Sequence, residues 1–134
     1  MTTHKYRVLV FGKAGCPKCH VLNQRLDSLL KKDEWQSFEK IYCDVESEEG
    51  LVSFCKAECI NPQRIPAFLI TKFDDQEGKY IPIPNPTMGE QDKVCKDSKL
   101  FTYLGVQTDY TDRGRGVISP KMIKSILREA MDAA

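Results

Sequence analysis

The chain has 134 residues, 41% of them hydrophobic and 29% charged, with 20 basic against 19 acidic side chains and a net charge of +1. This length predicts one domain over 1–134 that can bury a core without staples, and the balanced charge gives no ground for nucleic-acid or anionic-membrane binding. The sequence has no run of 18 apolar residues and no signal-peptide core, so a cytoplasmic protein is expected, its six irregularly spaced cysteines not forming a secreted disulfide framework.

Tyr6 to Phe11, interrupted only by Arg7, reads as a central strand covered on both faces. It leads into Cys16-Pro17-Lys18-Cys19. From there Cys19, Leu22, Leu26, Leu29 and Leu30 recur at helical intervals, which predicts a helix over about 17–32 with Asn23, Gln24, Arg25, Asp27 and Lys31 turned to water. Two cysteines three apart at a helix start bring their sulfurs together while exposing only the first. Cys16 falls near the N-cap, where unpaired N–H groups and the helix dipole favour thiolate. Cys19, a turn deeper, is placed to resolve a mixed disulfide. Pro17 suits the first helical turn. Lys18 and Lys13 add positive charge that lowers the Cys16 pKa from the free value of about 8.5. The implied chemistry is thiol–disulfide exchange.

Cys-Pro-Lys-Cys also spells half of a zinc knuckle, and an inert buried pair is a third reading. A knuckle needs a second pair of similar spacing and usually returns to a strand. Here three helical turns follow, and Cys55 and Cys59 have three residues between them. The redox reading is preferred, with no metal ligands assigned.

Phe38 to Val45 reads as a second strand, and Ser47 caps a short helix over about 48–58 whose inner face is Leu51, Phe54 and Cys55. Asn61-Pro62 stops it. Two strand–helix units in succession predict a parallel pair and the start of a three-layer α/β domain. Ala67 to Ile70 is a third strand, entered through Ile65-Pro66. Lys79 to Pro86 alternates proline, which forbids a central strand and suggests an extended edge. Residues 87–99 read as loop, Leu100 to Gly105 as a fourth strand antiparallel to the third, and Thr111 to Gly116 as a flexible turn. Ser119-Pro120 opens a last helix carrying Met122, Ile123, Ile126, Leu127 and Ala130. The sum is an α/β fold with a mixed sheet of about four strands flanked by helices.

Cys43, Cys55, Cys59 and Cys95 are read first as core packing, with a second redox pair (Cys55 with Cys59) and a four-thiolate metal site as alternatives. His4 and His20 are too scattered for a zinc triad; His20 is read as helix surface. Arg113-Gly114-Arg115-Gly116 is read as a solvated loop, with an anion contact as the alternative.

The order strand, Cys-Pro-x-Cys, helix, strand, helix, Ile-Pro, strand, strand, helix resembles the thioredoxin superfamily, and more closely its glutaredoxin branch. Proline directly follows the first cysteine, Lys13 lies three residues before Cys16, and Val10 stands where thioredoxins keep a buried acid. Ile65-Pro66, 50 positions after Cys16, matches the family's cis-proline, whose loop faces the dithiol. The resemblance implies a three-layer thioredoxin-like fold and a thiol–disulfide oxidoreductase in which Cys16 attacks, Cys19 resolves and Lys13 stabilises the thiolate. It also implies that Ile65 and Pro66, with Lys18 beside them, hold a substrate backbone added like a strand. Substrates would be disulfide-containing proteins or glutathione mixed disulfides. Glutathione is a candidate co-substrate, no bound cofactor is expected, and reduction would come from glutathione or a flavin-dependent reductase.

The chain departs from the glutaredoxin pattern at Arg64, where threonine is usual, and at Gly105-Val106-Gln107-Thr108-Asp109, which replaces the Gly-Gly-x-Asp-Asp stretch that holds the glutathione carboxylate. An insertion at about 74–99 is a partner-specific wall or an edge decoration. Two rival functions remain: a redox-inert binding module that uses this insertion, and a metal-binding protein built on Cys16 and Cys19.

Overall fold

In a computed structural model, described for residues 4–56, 64–86, 92–95, 98–111 and 115–133, the apolar stretch Tyr6–Gly12 is the strand β1. After it come α1 (Pro17–Leu30), a 3-10 turn (Asp33–Trp35), β2 (Phe38–Asp44), α2 (Glu48–Lys56), β3 (Ala67–Asp74), β4 (Lys79–Pro82), β5 (Gly105–Gln107) and α3 (Pro120–Asp132). β1 pairs parallel with β2 (Val10 opposite Tyr42) and antiparallel with β3 (Val10 opposite Phe68). The far edge of β3 is shared, its first residues pairing with β5 and its last with β4.

Alternation along β1 sends side chains to two cores. Tyr6, Val8 and Val10 join Phe68 and Ile70 against Leu22, Leu26 and Leu29 of α1 and Ile123, Ile126 and Leu127 of α3. Phe11 joins Ala67 and Leu69 on the opposite face, where Phe54 of α2 meets Phe11 edge-on, ring centres 5.5 Å apart. The layers are therefore α1 with α3, the sheet, and α2. Hydrophobic burial on both faces explains why β1 and β3 read as continuous apolar runs.

Local chemistry sets the ends of the elements. The Ser47 hydroxyl accepts the Gly50 N–H (3.0 Å) at the start of α2, and Gly50 lies so close to the Asp44 carbonyl that a Cβ would collide with it. Ser119 caps α3 with Pro120 in its first turn. Trp35 in the 3-10 turn is buried edge-on to Phe38, and Phe38 stacks on Tyr6 at 4.6 Å. The Cys55 side chain and Cys59 lie outside the described residues, as do Leu51's side chain, Asn61-Pro62 and Arg113-Gly114.

The mixed sheet of about four strands is borne out as the path β2-β1-β3-β4, with the short β5 beside β3. β3 continues past Ile70 to Asp74 and turns back as β4; the Asp74 carboxylate accepts the N–H groups of Gln76 (2.9 Å) and Glu77 (3.2 Å), and Gly78 takes φ +67°. Pro82 is tolerated because β4 is short and pairs on one side only. The strand expected over 100–105 is instead a tight bend that precedes β5. Leu100 and Leu104 are apolar because they enter opposite cores, while the Asn85 amide donates to the carbonyls of Leu100 (3.0 Å) and Phe101 (3.1 Å). Continuous pairing with β3 starts at Gly105, where a Cβ would strike the Phe68 carbonyl, after an isolated bridge of Tyr103 to Pro84. Arg25, likewise, is not simply turned to water: its guanidinium donates to the Ile118 carbonyl at 2.8 Å and ties α1 to the segment before α3.

Asp92 and Lys99 are fastened to α3. Lys99 Nζ, its side chain only 5% exposed, bonds Glu129 at 2.8 Å and Asp92 at 3.1 Å. Burial alone would raise the Asp92 carboxyl, but N–H donors from Cys95 and Val94 and the ammonium of Lys99 hold it below its ordinary value. Burial would lower the Lys99 ammonium, yet Glu129 and Asp92 raise it. The depressed acid contributes stability that is present above its unfolded pKa and lost as pH falls through its folded value. The raised lysine contributes stability that is present below its unfolded pKa and lost as pH rises through its folded value. Replacing Lys99 by methionine strands two carboxylates, and denaturant unfolding should show a loss of about 3 kcal/mol at neutral pH, with a smaller difference from the parent in acid.

Candidate active site

β1 delivers the chain to the site through Gly12, and the turn that follows uses Gly15 at φ +76°. Cys16 is the N-cap of α1, with extended backbone (φ −96°, ψ 106°), and its sulfur accepts the Cys19 N–H at 3.2 Å. This occupies one of the donors a helix N-terminus leaves unpaired. Pro17 takes the first helical position. Cys16 and Cys19 are joined as a disulfide, their Cα atoms 5.2 Å apart. Cys16 is half-buried and Cys19 is 1% exposed, so the first sulfur faces the surface and the second the core.

The Ile65–Pro66 bond is cis. Pro66 is buried and shares the wall of an apolar groove of about 230 Å³ with Pro17, Val21, Arg25, Val117 and Ile118. The proline loop and the dithiol helix therefore face one another. Several bonds fix the loop. The Thr108 N–H donates to the carbonyls of Arg64 (3.0 Å) and Pro66 (3.2 Å), the Thr108 hydroxyl donates to Pro66, and the Arg64 guanidinium returns to the Thr108 carbonyl at 2.7 Å. Arg64, standing where glutaredoxins have threonine, is thus a brace.

Of the residues singled out from sequence, Cys16, Cys19, Pro17, Lys18 and Pro66 come together. Lys18 reaches across the groove, donating to the Gly116 carbonyl (3.1 Å) with its ammonium 5.5 Å from the centre of the Tyr110 ring. Lys13 is exposed and makes no hydrogen bond or ion pair with a described residue. Ile65 is buried, and its carbonyl already accepts the Tyr110 hydroxyl, so it does not simply offer an open backbone. Val10 is fully buried in the core. Gln107, Thr108 and Asp109 are buried too; Asp109 accepts the Thr111 N–H with its carboxylate (3.0 Å) and the Gly116 N–H with its carbonyl (2.7 Å). These are loop-building bonds.

Cys43 and Cys95 are free thiols. Burial pushes the Cys43 thiol up, and burial, followed by the nearby Asp92, pushes the Cys95 thiol up to about 12, which leaves it unreactive. His20 is exposed. Among the described residues no three His, Cys, Asp or Glu side chains gather as a metal site, and no helix is long and apolar enough to cross a membrane. Sequence reasoning missed Tyr110, because it belongs to no motif.

No protein-family model matches the sequence, and no curated protein matches it. Among solved structures the chain is similar to oxidised thioredoxin O2 from Arabidopsis thaliana, with a TM-score of 0.53 at 10% identity over 94% of this chain and 75% of that one. It is also similar to oxidised mitochondrial thioredoxin 3 from Saccharomyces cerevisiae, at 20% identity over 58% of this chain and 63% of that one, with a TM-score of 0.41. The first of these, with the three layers and the strand pairing above, establishes the class: the chain has a thioredoxin-like fold.

Proposed function

We propose that the chain is a thiol–disulfide oxidoreductase whose reduced dithiol, Cys16 and Cys19, reduces disulfides in protein substrates. The observation that carries this reading is the Cys16–Cys19 disulfide itself, set at the start of α1 opposite cis-Pro66 with one sulfur facing out and one facing in. The Cys16 thiolate attacks a substrate sulfur; a Cys16–substrate bond forms, the substrate disulfide breaks and its first thiolate leaves. Cys19, as thiolate, then attacks Cys16. The internal disulfide forms, the second substrate thiolate leaves and takes up a proton, and two electrons have passed to the substrate. The helix N-terminus stabilises the Cys16 thiolate, the exposed Lys13 adds positive charge to the turn, and Pro17 preorganises it.

The groove walled by Pro17, Val21, Pro66 and Val117 suits an extended apolar peptide. A protein disulfide is favoured over a glutathione mixed disulfide because the stretch that stands in place of the glutaredoxin carboxylate-binding motif lacks its adjacent acid pair and is buried in β5 and its following loop. Glutathione, or a flavin-dependent reductase, would return the electrons in a reducing compartment such as the cytoplasm.

With a chromogenic aromatic disulfide as substrate, Cys16→Ser should reduce nothing above background, while Cys19→Ser should release one thiolate and stall as a mixed disulfide visible by mass. Equal turnover by the parent and Cys16→Ser would overturn the reading. Substrate peptides that donate to the Ile65 carbonyl compete there with the Tyr110 hydroxyl. Tyr110→Phe should therefore lower KM for a disulfide-linked peptide about fivefold with kcat little changed.

A further inference from the structure

Resting on the reading above, one step lacks a partner: Cys19 attacks only as thiolate, yet it is 1% exposed, and burial disfavours the charged sulfur. The backbone of β1 leaves a small space beside it. A Cβ at Gly12 would lie 3.0 Å from the Cys19 sulfur and 3.1 Å from the Tyr42 hydroxyl oxygen, so sulfur and phenol face the same gap, which glycine keeps open. Tyr42 lies on β2 opposite Val10, and it shares its face with Lys40, which reaches over to Asp27 of α1 at 2.8 Å. On α1, Cys19 and Asp27 are two turns apart on the side turned to β2. Tyr42 is 41% exposed. Its ring therefore runs from the buried sulfur to water.

We propose that the Tyr42 hydroxyl is a catalytic group of the resolving step, donating a hydrogen bond to the Cys19 thiolate as it forms and carrying its proton out to solvent. In this step the Cys19 S–H gives its proton to the phenol oxygen as the phenol proton passes to water. The sulfur lone pair then forms the bond to Cys16, the bond from Cys16 to the substrate breaks, and the departing thiolate takes a proton from water. The phenol is unchanged at the end. Burial, then the carboxylates of Asp44 and Glu46, then Cys43, raise the Tyr42 phenol, which keeps it a neutral donor at physiological pH. The other charged groups on these elements are the mutually paired Lys40 and Asp27, the mutually paired Arg7 and Glu39, Arg25, which is tied to the Ile118 carbonyl, Lys18, which is tied to Gly116, and the exposed Lys13 and His20.

The test follows both thiolate releases from the reduced protein and the chromogenic aromatic disulfide by stopped flow across pH, in the parent and in Tyr42→Phe. The first release, from Cys16 attack, should be unchanged. The second should slow about tenfold at neutral pH, its pH midpoint should move up, and the two proteins should converge in alkali where Cys19 ionises unaided. A merely structural role would not shift that midpoint while sparing the first phase. An unchanged second phase and midpoint overturn the role of Tyr42 and leave the dithiol chemistry standing, whereas no first phase in the parent overturns both. Should Tyr42→Phe be poorly folded, Tyr42→Trp supplies the same comparison, since an indole fills the space with its donor displaced, and it too should show the raised midpoint.

Discussion

Cys16 closes the N-terminus of α1 with its own sulfur, and the rest of the site is built around that contact. The cap requires the chain to leave β1, turn sharply at Gly15 and enter a helix at Pro17. That turn is held from below by β1, sandwiched between β2 and β3 and covered on both faces. The result is a sulfur aimed at N–H donors and the positive end of a dipole. Cys19, one turn on, is drawn into the core because α1 packs its leucine stripe on the sheet. Asymmetry between the two sulfurs is thus a consequence of helix packing.

The second half of the site is a loop assembly with little regular structure. Arg64 to Pro66, Thr108 to Tyr110 and Gly116 to Ile118 are separate in sequence and are tied to one another by backbone bonds, by the Thr108 hydroxyl and by the Arg64 guanidinium. Lys18 and Arg25 bridge this assembly to the dithiol helix, and the Tyr110 hydroxyl bonds the Ile65 carbonyl within it. Ligand-facing loops are commonly held this way on a rigid sheet. The additional length between β3 and β5 contributes a hairpin strand and, through Lys99, a clamp on α3.

What the sequence made legible followed from strong periodicity. β1, α1 and α3 were readable because each buries a regular apolar face, and the dithiol was readable because Cys-Pro-Lys-Cys sits at the junction of a strand and a helix. The bend at 100–104 was not, since Leu100 and Leu104 imitate strand residues while entering different cores. Arg25 reads as a solvent residue by period alone; its partner is a carbonyl 93 residues away. Tyr110 was silent because its placement depends on tertiary approach to the Ile65 carbonyl.

The central claim is that Cys16 is an activated, reachable thiol, and the pH dependence of its alkylation by iodoacetamide in the reduced protein tests it most directly. Mapping of the modified residue should place reaction at Cys16 and not Cys19, with a midpoint well below the free-thiol value of about 8.5. A midpoint at or above that value, or a Cys16 that resists alkylation in the folded protein, would contradict the account.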